Sequence, residues 1–176
     1  SISGNTADRG GGGVNIEGKD GIFTMNVGTI SGNHGNSWGG GVNVDEGIFT
    51  MSGGSISGNT VSSGAGYPIR VGGGVMIELG TFNMSGGIID GNTAPYGGGV
   101  YVDDGDFYKT GGIIYGRTPE GAPNWNRAGS DTRGHAVYAD GGNSSLSNAK
   151  YRDTTAGSEV NLTAVKGAAT GDGWMP

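Results

Sequence analysis

The sequence predicts an all-β fold, a right-handed parallel β-helix (β-solenoid) of about five coils with three short strands per coil. Three observations predict it. Glycine supplies 42 of 176 residues, and the glycines recur at fixed intervals instead of being scattered as in low-complexity chains. A motif GGGVxVxxGxFxMxGGxIxGN repeats along the chain, its shortest complete period running the 25 residues from Val75 to Val100. Within each copy the apolar residues alternate over short runs bounded by Gly, with no span suited to a helix of ordinary length.

The elements follow in order. Residues 1–9 read as a partial first coil, with Ile2 and Asn5 in the last slots of the motif. Val14, Val42, Val75 and Val100 open four copies, and Val137, after Gly134-His135-Ala136, opens a looser fifth. Phe23, Phe49, Phe82 and Phe107 follow those Val residues by 9, 7, 7 and 7 positions, the longer first interval falling around Gly18-Lys19-Asp20-Gly21. Ile30, Ile56, Ile89 and Ile114 come seven residues after each Phe. Alternation puts Val14, Ile16, Phe23, Met25 and Ile30 on one side and Asn15, Thr24 and Ser31 on the other. A single copy cannot bury that apolar side, so copies must stack strand on strand. Asn5, Asn33, Asn59 and Asn92 recur at one corner and are expected to form a structural amide ladder, with Arg117 taking the slot in the fifth copy. From residue 150 to 176 the pattern fades, as expected of a C-terminal capping segment. Residues 1–176 thus read as a single β-helix module. Its first residues carry no initiator Met or signal peptide, so a module cut from a longer protein is expected.

Composition excludes several classes. Net charge is −6, the pI is near 4.7 and Lys or Arg never cluster, which argues against nucleic acid as a partner. With no Cys, disulfide frameworks, thiol nucleophiles and thiolate metal sites are removed together. No apolar run reaches membrane-spanning length, so no membrane partner is expected. Neither a cofactor motif nor a metal site is predicted.

Candidate functional residues lie where the repeat is broken or faces outward. The intervals from Ile to the next Val are 12, 12, 19, 11 and 23, placing insertions near Ser62 to Val71 and Arg117 to Arg133 at one corner. That corner is expected to collect one aromatic per coil: Trp38, Tyr67, Tyr96 and Trp125. Four rungs at the spacing of a sheet make a row about 14 Å long. Rigid aromatic planes with polar handles suit the flat C–H faces of sugars, making the row a candidate glycan platform; the alternative is that these rings seal the corner under their own loops. On the first strand an outward column runs Asn15, Asn43, Met76, Tyr101 and Tyr138, of which Tyr101 and Tyr138 could extend the platform or stand as an ordinary exposed pair. Glu17, Asp45, Glu78, Asp103 and Asp140 recur three residues after each Val, open to solvation at a turn or to Ca²⁺ between neighbours.

Catalysis is not expected. Asn92-Thr93-Ala94, Asp103-Asp104 and Gly134-His135-Ala136 faintly resemble polygalacturonase motifs, but the first lacks its carboxylate and no Arg-Ile-Lys equivalent follows. The acid candidates sit in a column repeated in every coil, whereas glycoside hydrolysis needs one positioned pair.

The segment GGGVYVDDGDFYKTGGIIYG, the preceding GGGV…FTMSGG…ISGNT copies and the C-terminal GHAVYADGG…KYRDTTAGSEVNLT resemble β-helical repeats of large secreted or surface proteins of anaerobic bacteria. The module is also similar to the β-helical carbohydrate-binding modules that accompany xylanases in plant-degrading gut bacteria. That resemblance implies an extracellular, non-catalytic module that binds xylan or a related plant β-glycan and targets a covalently linked glycoside hydrolase. The adhesin-like repeats imply the alternative, a structural spacer on a cell surface.

Overall fold

The computed structural model describes residues 1–62, 71–116, 124–129 and 135–139, together with the backbone of 159–160. Every described element is a strand, and three parallel sheets run the length of the stack. The Val sheet stacks Val14–Glu17, Val42–Asp45, Val75–Ile77, Val100–Val102 and Val137–Ala139. The Phe sheet stacks Ile22–Met25, Ile48–Met51, Thr81–Met84 and Asp106–Lys109. The Ile sheet stacks Ile2–Ser3, Thr29–Ser31, Ser55–Ser57, Ile88–Asp90 and Ile113–Tyr115. Equivalent residues pair across rungs, Val75 with Val42 and Val100, Phe82 with Phe49 and Phe107, and Ile89 with Ile56 and Ile114. The parallel β-helix read from the repeat is therefore the fold.

One element was not expected. Thr6–Ala7, His34–Gly35 and Thr60–Val61 form a fourth, very short parallel ladder after the Asn corner, so the early coils carry four strands and not three. Two-residue strands leave no periodicity to detect in a sequence. At the far end Glu159–Val160 pairs antiparallel with the last Ile strand, Ile114 opposite Val160, and occupies that strand's outer edge.

The interior is built from identical side chains meeting themselves. Phe23, Phe49, Phe82 and Phe107 stack face to face with centroids 5.5, 4.6 and 5.0 Å apart, a geometry fixed by the strand spacing. Around them lie the buried Val, Ile and Met columns, while Ile2, Val14 and Phe23 at the N-terminal rungs are only partly covered.

The Asn ladder closes one corner. Asn33, Asn59, Asn92 and Asn126 are fully buried. Each interior member accepts from the backbone N–H and the amide of the preceding Asn: Asn59 Oδ1 takes Asn33 N and Nδ2, both at 3.0 Å, and Asn92 Oδ1 takes Asn59 N and Nδ2, both at 2.9 Å. The fifth rung corrects the expectation for Arg117. Asn126 holds the slot, accepting from Asn92 at 3.0 and 2.8 Å, because the insertion enters before the Asn corner. Residue 117 itself lies outside the described residues.

The triple glycine before each Val strand has one reason per position, illustrated by the second coil. Gly39 sits at φ +48°, in the left-handed region. A Cβ on Gly40 would stand 2.5 Å from the carbonyl oxygens of Gly73 and Thr60, and one on Gly41 2.6 Å from Gly74 O and 3.0 Å from the Asn59 amide. These contacts are with the following rung. His135 and Ala136 replace the second and third glycines in the last described rung of the Val sheet.

Candidate functional site

Isolated parallel bridges join Gly10 to Trp38, Trp38 to Val71 and Val71 to Tyr96, making one register column just before the glycine corner. Trp38 and Tyr96 do share an edge, as expected, and both are half-buried. In the third coil the column is held by Val71, and Tyr67 lies outside the described residues.

Trp125 corrects the expected row. It immediately precedes Asn126, and Arg127 bridges to Thr93, so its register partners are the glycines before each ladder Asn and not Trp38 or Tyr96. The cause is the same misplaced insertion that misassigned the Asn slot.

Tyr101 and Tyr138 correct the expected exposed pair. They are 2 % and 6 % exposed, stacked at 5.4 Å, and they join Met76 and Val71 in a second apolar cluster against which Trp38 and Tyr96 pack. Tyr96 meets Tyr138 edge-on at 5.5 Å. Outward-facing positions of the Val sheet thus form a subsidiary core, because the corner residues fold back over it. Their alternation alone could not reveal a cover that comes from another turn of the coil. Trp38 and Tyr96 are left as the partly open rim of this cluster.

A second outward face follows the short ladder. Thr6, His34, Thr60, Thr93 and Arg127 occupy successive rungs in register. His34 is satisfied at both nitrogens: Nδ1 lies 2.8 Å from Thr60 Oγ1, and Nε2 lies 3.1 Å from Asn36 Oδ1 and 2.9 Å from Ser62 Oγ. Since an amide oxygen only accepts, Nε2 carries the proton and the Thr60 hydroxyl donates to Nδ1. At the end of this face Arg127 is exposed, its guanidinium carbon 5.0 Å from the Trp125 ring centroid. His135 packs edge-on against Trp125 at 4.9 Å and accepts the Ala128 N–H at 2.8 Å through Nδ1. Reading Asn126-Arg127 as the fifth Asn-Thr pair would have exposed this face in the sequence.

The acidic column stacks as expected, with Glu17 opposite Asp45. Burial, then the charges of Glu46 and Glu17, raises the Asp45 carboxyl above its usual range. Burial, then Asp45 and Asp103, does the same for Glu78. Among the described residues no cluster of three or more acidic, His or Cys side chains is arranged to hold a metal ion. Two further groups stand out. Asp90 has a buried Oδ1 and Lys109 a buried Nζ, both without a hydrogen-bond partner among the described residues, and burial raises the former's pKa and lowers the latter's.

No family model, curated protein or solved structure matches the chain.

Proposed function

We propose that this chain is a non-catalytic carbohydrate-binding module that holds a linked glycoside hydrolase on plant cell-wall β-glycan, with xylan the leading candidate. The observation that carries this reading is the register column containing Trp38 and Tyr96, two rungs or about 10 Å apart on a stiff edge. Both rings rest on the cluster of Val71, Met76, Tyr101 and Tyr138, so their planes are held before any ligand arrives and binding costs little side-chain entropy. Sugar C–H faces would lie on the open parts of these rings. The carboxylates are spread along a repeating column, which favours binding over bond cleavage. The module's effect would be a raised local concentration of the linked enzyme at its substrate.

Titration calorimetry with xylohexaose and cellohexaose, alongside sedimentation with insoluble xylan, tests the reading. Affinity is expected to rise with chain length and to favour xylan; absence of binding to all three sinks it.

A second reading, a structural spacer in a surface protein, draws on the burial of Tyr101 and Tyr138, which stiffens the rod without offering a grip. Failure of every glycan to bind an otherwise stable module would favour it.

A further inference from the structure

We infer that Arg127 is the anchor of a second binding face, specific for the carboxylate of a uronic-acid residue carried on a glycan. The inference rests on the glycan reading above and adds a charged subsite to it. The first ground is preorganisation. Arg127 N donates to Asn92 O at 2.7 Å, Arg127 O accepts from Ala94 N at 3.0 Å, and neighbouring Asn126 is locked in the amide ladder. The side chain lies over Trp125, whose ring is held in turn by the edge of His135. A guanidinium held over an indole, its carbon 5.0 Å from the ring centroid, is a positioned cation, and its fork of N–H donors matches a planar carboxylate in a bidentate pair.

The second ground is the absence of a competitor. Among the described residues no carboxylate forms an ion pair with Arg127, although the chain as a whole carries net charge −6. An exposed cation with no carboxylate partner among the described residues, held in place on an acidic protein, is suited to an anionic ligand, which the surrounding charge would otherwise repel. The third ground is what lies beside it. Thr93, exposed on the adjoining rung, offers a hydroxyl, and beyond it the Thr60 hydroxyl, whose proton is committed to His34, offers its oxygen as an acceptor at strand spacing. Sugar hydroxyls next to the acid residue meet polar partners along the same line. Trp125 is therefore a pedestal for Arg127 and not a stacking plane for sugar.

The test is calorimetric titration of the whole chain with xylohexaose and with a glucuronic-acid-substituted xylo-oligosaccharide of equal backbone length, at low and high salt. The acidic ligand is expected to bind about tenfold tighter at low salt, the scale of one charge-assisted pair. High salt and Arg127→Gln should each abolish that advantage while leaving the neutral ligand's affinity unchanged, and Arg127→Lys should restore only part of it. Thermal melts check that the variants fold, which the exposure of Arg127 leads us to expect. Equal binding of the two ligands, or a preference that survives Arg127→Gln, overturns the uronate subsite and leaves the neutral-glycan reading standing. Loss of binding to both ligands by the wild-type chain overturns both.

Discussion

Lys109 occupies the register position of Met84 on the neighbouring rung, so an ammonium group stands at the end of a column where three rungs bury a thioether. It is 2 % exposed, and among the described residues its Nζ has no hydrogen-bond partner. Lys109→Met should therefore stabilise the fold, by about 1–3 kcal/mol on the cost of an unpaired buried polar group. The pH dependence has a definite sign. Burial lowers the folded-state pKa below the usual lysine value, so between the two values the unfolded chain holds more protons and stability rises with pH. Denaturant melts from neutral pH to about pH 10 should show that rise in the wild type and a flatter profile in Lys109→Met.

The acidic column carries the opposite dependence. Glu78 is raised by burial and by Asp45 and Asp103, so its folded-state pKa exceeds its unfolded one, and stability is lost as pH climbs through the raised value. Glu78→Gln should raise the melting temperature near neutral pH by the equivalent of a few tenths of a kcal/mol, typical of partly exposed charge pairs. Near pH 4 the gain should vanish. An equal gain at both values would mean that packing, not charge, is responsible.

Asn59 holds two rungs together. Its side chain donates to Ile30 O at 2.9 Å and to Asn92 Oδ1 at 2.9 Å while accepting two bonds from Asn33. Asn59→Ala leaves the Asn33 backbone N–H without its acceptor and takes from the Ile30 carbonyl and Asn92 Oδ1 one donor each, although Asn92 Oδ1 keeps the residue 59 N–H, at a cost of roughly 3 kcal/mol. Asn59→Asp should fare no better, because a carboxylate cannot donate to either partner. Chemical denaturation of both variants measures this.

Glycine tolerance should differ along the chain. Gly74→Ala would drive a Cβ to 2.6 Å from Gly99 O and 3.0 Å from the Asn92 amide, and should destabilise by more than 2 kcal/mol, about the scale of a backbone clash in a tight core. Ala136→Gly, at the equivalent position of the last described Val-sheet rung, should cost only about 1 kcal/mol. Comparable losses at the two sites would contradict the assignment of the clash to the following rung.

For the proposed glycan edge, Trp38→Ala and Tyr96→Ala should each weaken xylohexaose binding about tenfold, the worth of one good aromatic contact. Both rings also pack on the second cluster, so melting curves must accompany the titrations. Unchanged affinity in both variants moves the site off this edge.

The stacking of Val, Phe and Ile columns was legible because the repeat writes the register directly: residues at equal places in the motif become neighbours. The failures came where the period was interrupted. Assigning the fifth Asn slot to position 117 instead of Asn126 displaced Trp125 by most of a corner, and with it Arg127. Burial of Tyr101 and Tyr138 was illegible for a different reason. Strand alternation says which way a side chain leaves the sheet, not whether Trp38 and Tyr96 from another turn will fold over it.

Val27 shows what the packing rule does at the opposite end of the rod. In later coils its slot is Gly53, Gly86 and Gly111, where a Cβ would come within 2.3 Å of a carbonyl oxygen on the rung before. Val27 is 82 % exposed, with its branched side chain standing in that space. Among the described residues this slot is glycine wherever a strand of the Phe sheet lies on the rung before it, and a branched side chain stands only where none does.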